Sequence, residues 1–455
     1  MDSTRSTVWT YLGWGIVPLG LSMYLALSFW SEHRAMFLPG QTTAGHYQIE
    51  LACQACHTPF AGVKQSACLD CHGAELALAD DSHPSSKFTD PRNADRVAIV
   101  DARLCVTCHR EHRPAQTRPM GVTLAMDYCF HCHADLAEER SSHVDLGFAT
   151  CASAGCHNFH DNTALYEDFL LEHLHEPPLL DNPVVPLRAV FQLRPLSRAD
   201  ANGPPPRSPD DQYLLEDWVS TRHAQAGVNC TDCHRQPDSG ASQTSEKMWT
   251  DRVGHTVCQR CHQAETEGFL AGRHGMRLAQ QLPPMRPELA RQPMKTSAHG
   301  RELGCLSCHP AHRFDTRQAA AEACLTCHDD AHSRTYTGSV HFRLWQKELA
   351  GQLPPGSGVS CATCHLPREI HRQEGTDTVR VQHNQNGNLR PNEKMLRGVC
   401  MQCHGLGFAL DALADPELIA RNFSGQPAVH VASLEMAERR QAETARTDEQ
   451  SEEGR

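Results

Sequence analysis

No cysteine is left over in this 455-residue sequence once its cysteines are grouped into close pairs. The 22 cysteines form eleven pairs, so none remains for a disulfide, a free thiol or a nucleophile. Acidic residues outnumber basic ones and give a formal net charge of −12 at pH 7, which makes nucleic acid a poor partner. The first cysteine is Cys53, so no cysteine is placed to carry the lipid of a lipoprotein.

The pairs share one pattern. Ten are C-x-x-C-H, and the eleventh has four residues between its cysteines but keeps the following histidine. The motif residues are Cys53, Cys56, His57; Cys68, Cys71, His72; Cys105, Cys108, His109; Cys129, Cys132, His133; Cys151, Cys156, His157; Cys230, Cys233, His234; Cys258, Cys261, His262; Cys305, Cys308, His309; Cys324, Cys327, His328; Cys361, Cys364, His365; and Cys400, Cys403, His404. Two thiols one short loop apart can bond to the vinyl groups on one edge of a porphyrin, and the next histidine can bind the iron. The pattern therefore predicts eleven covalent haem c groups.

Other uses of C-x-x-C fit less well. A zinc ribbon needs two such knuckles for each metal and has no use for a histidine after each second cysteine. A thioredoxin-like motif occurs once in a βαβ unit, and a disulfide framework suits a short secreted chain. Eleven repeats, each followed by histidine, favour haem.

A second axial ligand for each iron must come from outside the motifs. The chain has 30 histidines, of which nineteen lie outside the motifs. Several recur at fixed offsets, for example His112, His160 and His312, each three residues after a motif histidine. At this offset a histidine cannot easily bind the iron of its own motif, but it can reach a neighbouring haem.

The predicted second ligands divide between two clusters of motifs. Those of the first cluster are His46, His83, His112, His143 and His160. Those of the second cluster, one more than its six irons need, are His223, His274, His299, His312, His332, His341 and His371. His131 and His255 are alternatives, and Met120 or Met126 could serve a His/Met haem, although packing is the usual role of a methionine. Surface or supporting positions are expected for His33, His173, His175, His383 and His430.

The N-terminal region contains an uncharged stretch of 23 residues from Val8 to Trp30. This length is enough to span a bilayer, and tryptophans lie at or near both ends, where interfacial aromatics belong. A cleaved signal peptide is the alternative, because Ala26-Leu27-Ser28 resembles a small-x-small site, but signal cores are shorter. Both interpretations place the rest of the chain in the periplasm, where haem c is attached. An inner-membrane anchor is the preferred prediction.

The motif spacing predicts five regions. These are a membrane anchor at 1–35, a pentahaem domain at 36–176, a proline-rich linker at 177–215, a hexahaem domain at 216–425 and a disordered polar tail at 426–455. The expected fold class is mainly α with much irregular loop, a core packed by haem and an N-terminal transmembrane helix. A longer helix is expected at 161–176, before Pro177 and Pro178.

Two likenesses follow from these motifs. The first half, with its close motifs and the runs CHREH and CHNFH, resembles the class III, cytochrome c3-like multihaem proteins. The second half, with AGVNCTDCH, GSGVSCATCH and SVHFRLWQKELAGQLPPGSGV, resembles the superfamily of hydroxylamine oxidoreductase, pentahaem nitrite reductase and cytochrome c554. Pentahaem nitrite reductases use C-x-x-C-K at the catalytic haem, whereas every motif here ends in histidine. Hydroxylamine oxidoreductase uses a C-terminal tyrosine, whereas no tyrosine follows Tyr336.

The leading functional hypothesis is an electron conduit, not an enzyme. It would link a membrane or quinol-linked donor to a periplasmic redox protein, with basic or neutral proteins as the better partners for an acidic chain. The alternatives are an oxidoreductase acting on a small nitrogen or sulfur oxyanion and a direct quinol dehydrogenase. For the former, candidate environments are His328 with Arg334 and Tyr336, and His262 with Arg273 and Arg277.

The haem count gives the first prediction. After acid-acetone extraction, the intact mass of the mature chain should exceed the polypeptide mass by eleven haem groups, because all eleven pairs form thioethers. Ten or fewer haems, with Cys151 and Cys156 found as free thiols, would contradict the assignment of the longer motif.

Overall fold

The computed structural model describes most of the chain and confirms a mainly helical fold with irregular loops. The described residues are 2–30, 32–59, 61–79, 83, 85–118, 121–125, 128–139, 143–144, 159–161, 166–188, 194–204, 211–235, 249–373, 376–389 and 392–453. The fifth motif, Cys151 to His157, lies outside them, as do Met120 and Met126.

Most helices are only one or two turns long. The α-helices are Asp2–Trp30, Gln65–Leu78, Ala94–Ile99, Cys105–Cys108, Phe130–His133, Leu136–Glu139, Glu167–His173, Asp211–Val219, Arg222–Gln225, Cys230–His234, His255–Gln259, Gln263–Ala271, Met276–Ala279, Cys305–Cys308, Thr316–Ala320, Glu322–Leu325, Ala331–Thr335, Val340–Leu349, Cys361–His365, Asn386–Leu389, Met395–Gly398, Leu406–Ala414, Pro416–Ala420 and Ala432–Glu453. Among the 3₁₀ turns are Glu32–Phe37, Tyr47–Ile49, Cys53–Ala55, Ser85–Phe88, Tyr336–Gly338 and Cys400–Gln402.

Strands are few, as expected. In the described residues they form two antiparallel hairpins, His57–Thr58 with Gly62–Val63 and Arg368–Gln373 with Thr376–Val381. In the longer hairpin His371 pairs with Thr378 and Arg368 pairs with Val381.

The chain divides into two compact units. The first contains residues 1–70 and 101–125, and the second contains residues 71–100 and 126–455. These bounds differ from the predicted pentahaem and hexahaem domains, because part of the first motif cluster packs within the second unit. Lys394 forms an ion pair with Glu75 there, and Leu170 packs beside Leu396.

The largest apolar cluster lies near the C-terminus of the second unit. Its buried members are Leu170, Met395, Leu396, Val399, Leu406, Ala409, Leu410, Leu413, Leu434, Met436 and Ala437. Leu170 belongs to helix Glu167–His173, which falls within the helix predicted at 161–176; residues 162–165 lie outside the described part.

The C-terminal region differs from the disordered tail predicted at 426–455. Residues Ala432–Glu453 form a helix, and its first two turns bury Leu434, Met436 and Ala437 in the apolar cluster. The composition of the whole segment is polar, but one apolar turn is sufficient to dock it. Residues 441–446, beyond that turn, are exposed.

The first part of the proline-rich segment, residues 177–184, runs along the last C-x-x-C-H motif. The Leu180 amide donates to the Cys403 carbonyl at 2.8 Å, and the Val184 amide donates to the Gln402 carbonyl at 3.0 Å. Prolines prevent this segment from forming a helix, so its remaining amides pair with the motif instead.

The N-terminal helix Asp2–Trp30 contains Pro18, and its side chains are described from Trp14 to Ser28. Within the described residues, no helix is both long enough and apolar enough to cross a bilayer.

Candidate haem-binding sites

Most of the described motifs fold into a single helical turn, whereas Cys68 to His72 lie within the longer helix Gln65–Leu78. The amide of a motif histidine donates to the carbonyl of the first cysteine four residues earlier, at 2.9 Å for His109, 2.8 Å for His262 and 2.8 Å for His404. Residues three and four apart share one face of a helix, so the two thiols and the imidazole lie together. None of the twenty cysteines of the ten described motifs forms a disulfide bond.

Local capping explains why these turns form. In Cys230–His234, Asn229 precedes the helix, and the Asp232 carboxylate accepts a hydrogen bond from the Asn229 amide at 2.7 Å. Ser360 and Thr363 form the same reciprocal cap on Cys361–His365. Such caps stabilise a helix start even when the helix is only one turn long.

The motif histidines face other histidines across short gaps. Eight pairs of imidazole rings each join one motif histidine to one histidine outside the motifs. Their ring centres are separated by 6.4 Å in His57–His112, 6.0 Å in His133–His83, 5.8 Å in His262–His223, 5.8 Å in His234–His312, 6.2 Å in His328–His274, 6.5 Å in His309–His383, 6.1 Å in His365–His332 and 6.4 Å in His404–His341.

These separations fit a metal ion held between two imidazoles. A ring nitrogen binds a metal at about 2.0 Å and lies about 1.1 Å from the ring centre, so two imidazoles on opposite sides of one iron should have centres about 6.2 Å apart. The pairs range from 5.8 to 6.5 Å. The chain therefore holds its motif histidines and their partners at the spacing that a six-coordinate haem iron requires.

Hydrogen bonds at the second ring nitrogen orient several of these imidazoles. A carbonyl oxygen can only accept, so an Nδ1 atom bonded to a carbonyl carries the proton and leaves the Nε2 lone pair for a metal. The bonds from Nδ1 to carbonyl oxygen are His83 to Phe159 at 2.8 Å, His109 to Gly121 at 3.2 Å, His112 to Gly40 at 2.8 Å, His234 to Thr250 at 2.7 Å, His332 to Ile419 at 2.5 Å, His383 to Val381 at 2.9 Å and His404 to Pro178 at 2.7 Å.

Burial keeps four of the paired histidines neutral. Burial, reinforced by neighbouring histidines, lowers the pKa to about 4 in each of His274, His309, His341 and His365. A neutral imidazole is the form that binds metals, so these residues are ready ligands near neutral pH.

Two partners adopt a backbone conformation that is rare outside glycine. His112 and His312 have φ values of 59° and 62°, and each lies three residues after a motif histidine. Non-glycine residues in this region are often held there for function. The left-handed turn directs each imidazole to the iron position of another motif, His57 for His112 and His234 for His312.

In the second cluster, all six motif histidines have a partner. Five of the partners belong to the set predicted from spacing: His223, His274, His312, His332 and His341. The sixth is His383, which the sequence analysis placed among surface or supporting residues.

His299 and His371 were predicted as ligands, but within the described residues neither ring faces another histidine. His371 lies on the hairpin strand Arg368–Gln373 and forms an ion pair with Glu369 at 3.5 Å. His299 ends the turn Thr296–Ala298. Their spacing from a motif is regular, but the chain directs them elsewhere.

In the first cluster two pairs are visible, involving His112 and His83. His46 forms a hydrogen bond from Nδ1 to the Glu111 carboxylate at 2.6 Å. Burial raises the pKa of Glu111, but hydrogen bonds from His46 and Thr43 outweigh it and lower that pKa to about 2. His143 and His160 are half-buried, and the motif that they adjoin lies outside the described residues. The alternatives His131 and His255 lie in helix Phe130–His133 and at the start of helix His255–Gln259.

The six motifs of the second cluster also adjoin one another in sequence order. A thiol–thiol hydrogen bond raises the pKa of Cys258 and lowers that of Cys305, and another links Cys324 with Cys361 with the same two effects. Two motifs thus meet through each of these contacts.

The other consecutive motifs of the second cluster also have cysteines near one another. Burial and the neighbouring Cys258 raise the pKa of Cys233. Burial, with Cys324 and Cys327 close by, raises the pKa of Cys308 to about 12. Burial and Cys403 raise the pKa of Cys364 to about 11. Each of the attachment sites from Cys230 to Cys403 therefore lies close enough to the next to affect the pKa of its cysteines.

The comparison with protein families agrees with this chemistry. Residues 45–134 match the family model of cytochrome c3, which confirms the resemblance stated for the first half over that range. A search of the curated proteins finds no match. Together, the family match and the cysteine motifs identify a multihaem c-type cytochrome for electron transfer, with covalently bound haem c.

One prediction distinguishes the ligand indicated by the histidine pairs, His383, from the ligand predicted by spacing, His371. In the oxidised protein, His383→Ala should convert one haem iron from low-spin to high-spin, because His309 then lacks an opposite imidazole. His371→Ala is the matched control and should leave all irons low-spin. Electron paramagnetic resonance measures both, and a high-spin signal from His371→Ala alone would reverse the assignment.

Proposed function

We propose that this chain is a membrane-anchored periplasmic cytochrome whose eleven haems conduct electrons between a membrane or quinol-linked donor and a periplasmic redox partner. The observation that carries the proposal is the pairing of all six motif histidines of the second cluster with another histidine. Haem bound in this way supplies one-electron chemistry and offers no vacant iron position to a substrate.

The proposed ligands of the second cluster are the six pairs described above. In the first cluster, His112 would serve the iron of His57, and His83 would serve that of His133. His46, His143 and His160 would serve the remaining three, which His72, His109 and His157 bind from the motif side. This assignment gives every predicted haem two imidazoles.

The row of attachment sites supports conduction. Electron transfer is fast only between closely spaced cofactors, and consecutive motifs of the second cluster meet through their cysteines. Adjacent ligand pairs are close as well, because the Phe423 ring centre lies 6.2 Å from the ring centres of both His332 and His341. A haem series built on these residues would bring consecutive haems of the second cluster close to one another.

The environments considered for catalysis favour this function over an enzyme. His328 was a candidate for an open haem, but His274 faces it at 6.2 Å. His262 was the other candidate, and His223 faces it at 5.8 Å. Tyr336 is buried and donates its hydroxyl hydrogen bond to the Val359 carbonyl at 2.9 Å. The motif runs of the second half remain the basis for proposing membership in the hydroxylamine oxidoreductase superfamily.

The spin state of the irons tests the conduit. Oxidised wild-type protein should show only low-spin ferric signals, and nitrite, hydroxylamine or sulfite should leave them unchanged, because each iron has two protein ligands. The measurement is electron paramagnetic resonance before and after each addition. A stoichiometric high-spin signal that shifts with one of these compounds would make the oxyanion enzyme the better description.

The anchoring part of the proposal rests on the N-terminal residues. The sequence from Val8 to Trp30 has no charged residue, and helix Asp2–Trp30 exposes apolar side chains such as Trp14 and Leu19. Exposed apolar surface of this kind favours a lipid environment. A helix in the inner membrane would place the haem domains in the periplasm, near a quinol-linked donor.

Fractionation tests the anchor. Full-length protein should sediment with membranes and resist a carbonate wash, whereas a variant exported without residues 1–34 should be soluble, because it lacks the apolar stretch. The mature N-terminus should be determined by mass spectrometry. Soluble full-length-derived material that begins near Phe29 would show that the segment is a cleaved signal peptide.

A further inference from the structure

The loop that carries His383 lies closely against a neighbouring helix. This loop, residues 382–386, follows hairpin strand Thr376–Val381, and the helix is Gln263–Ala271, which ends at Gly272. The contact is made at two glycines, Gly268 and Gly272. Because they are four residues apart, they lie on the same face of the helix.

The two glycines leave no room for a side chain. A Cβ atom at Gly268 would lie 3.2 Å from the backbone nitrogens of both His383 and Asn384. A Cβ atom at Gly272 would lie 3.1 Å from the His383 carbonyl oxygen and 2.6 Å from Gln385 Oε1. Three of these four neighbours are backbone atoms of the loop, which cannot move without moving the histidine.

A glycine inside a helix needs such an explanation. Glycine at a helix interior costs about 0.5–1 kcal/mol relative to alanine. Gly268 is well inside Gln263–Ala271, and the close approach of the loop offsets the cost of having glycine at this position.

Hydrogen bonds hold the shape of the loop, so the contact with the two glycines also sets the position of His383. The Asn384 amide donates to Gln382 Oε1 at 2.9 Å, and the Asn386 amide donates to Asn384 Oδ1 at 3.0 Å. Arg273, one residue after Gly272, donates from Nε to Asn386 Oδ1 at 3.1 Å. His383 itself donates from Nδ1 to the Val381 carbonyl at 2.9 Å.

We propose that Gly268 and Gly272 are positioning residues that seat the His383 loop and thereby make His383 the second axial ligand opposite His309. The inference rests on the haem ligation under the proposed function and adds the element that sets one ligand. A metal–imidazole bond is about 2.0 Å long, so a shift of the loop by a few tenths of an ångström is enough to weaken it. The glycine face therefore decides whether this haem is six-coordinate.

The test compares Gly268→Ala and Gly272→Ala with Gly387→Ala. Gly387 lies in helix Asn386–Leu389, next to the same loop, but a Cβ atom there meets nothing within 4 Å. In the oxidised protein, the first two variants should each produce one high-spin iron among the haems, and Gly387→Ala should produce none. Added imidazole should restore the low-spin signal, because it replaces the displaced ligand.

Combination with His383→Ala separates positioning from general damage. The double variant Gly272→Ala with His383→Ala should show no more high-spin iron than His383→Ala alone, because both act on one site. Haem content by mass should be that of the wild type. If Gly272→Ala loses haem, the test uses Gly268→Ala instead, because the same single high-spin iron is expected for that variant.

Two results would overturn the inference. One is a low-spin spectrum in both glycine variants with full haem content, and the other is high-spin iron that adds to that of His383→Ala. If His383→Ala itself leaves every iron low-spin, the proposed ligand assignment fails, and the glycine inference fails with it. High-spin iron in His383→Ala but not in the glycine variants would overturn only the role of the glycines.

Discussion

The described part of the structure depends on one constraint: in each of eight histidine pairs, a motif histidine lies near a histidine from another part of the chain. His262 pairs with His223, which precedes an earlier motif, and His309 pairs with His383, which follows a motif two further along. No motif in a visible pair completes its own site. The axial bonds would therefore connect segments that are distant in sequence, much as disulfides do in small secreted domains.

This constraint explains the scarcity of regular structure. A domain stabilised by its own side chains needs long helices or sheets with a continuous apolar face. Here most helices are one or two turns, and the main apolar cluster lies where the C-terminal helix meets helix Leu406–Ala414. Elsewhere most motif cysteines are only half-buried, consistent with large apolar cofactors that cover them when bound.

The sequence predicted the parts of the fold that are determined locally. The C-x-x-C-H turns, the candidate histidines three residues after a motif histidine and the helix ending before Pro177 all follow from neighbouring residues. The left-handed backbone of His112 and His312 was not predicted. The C-terminal helix was not predicted, because its average composition is polar and only Leu434, Met436 and Ala437 dock it. The average composition of a segment cannot show that one apolar turn within it packs against another part of the protein.

The prediction of axial ligands from local sequence is limited in the same way. His371 and His383 both follow the motif of His365, and spacing favoured the nearer one. His371 instead lies within a hairpin strand beside Glu369, whereas His383 lies just beyond the hairpin, where Gly268 and Gly272 admit its loop. The sequence feature that would favour His383 over His371 is thus the pair of glycines about 110 residues earlier in the chain. The number of residues between a histidine and a motif predicts a ligand only where a short turn places that histidine near an iron. Where a tertiary contact places the histidine, the ligand can be predicted only from the residues that permit the contact.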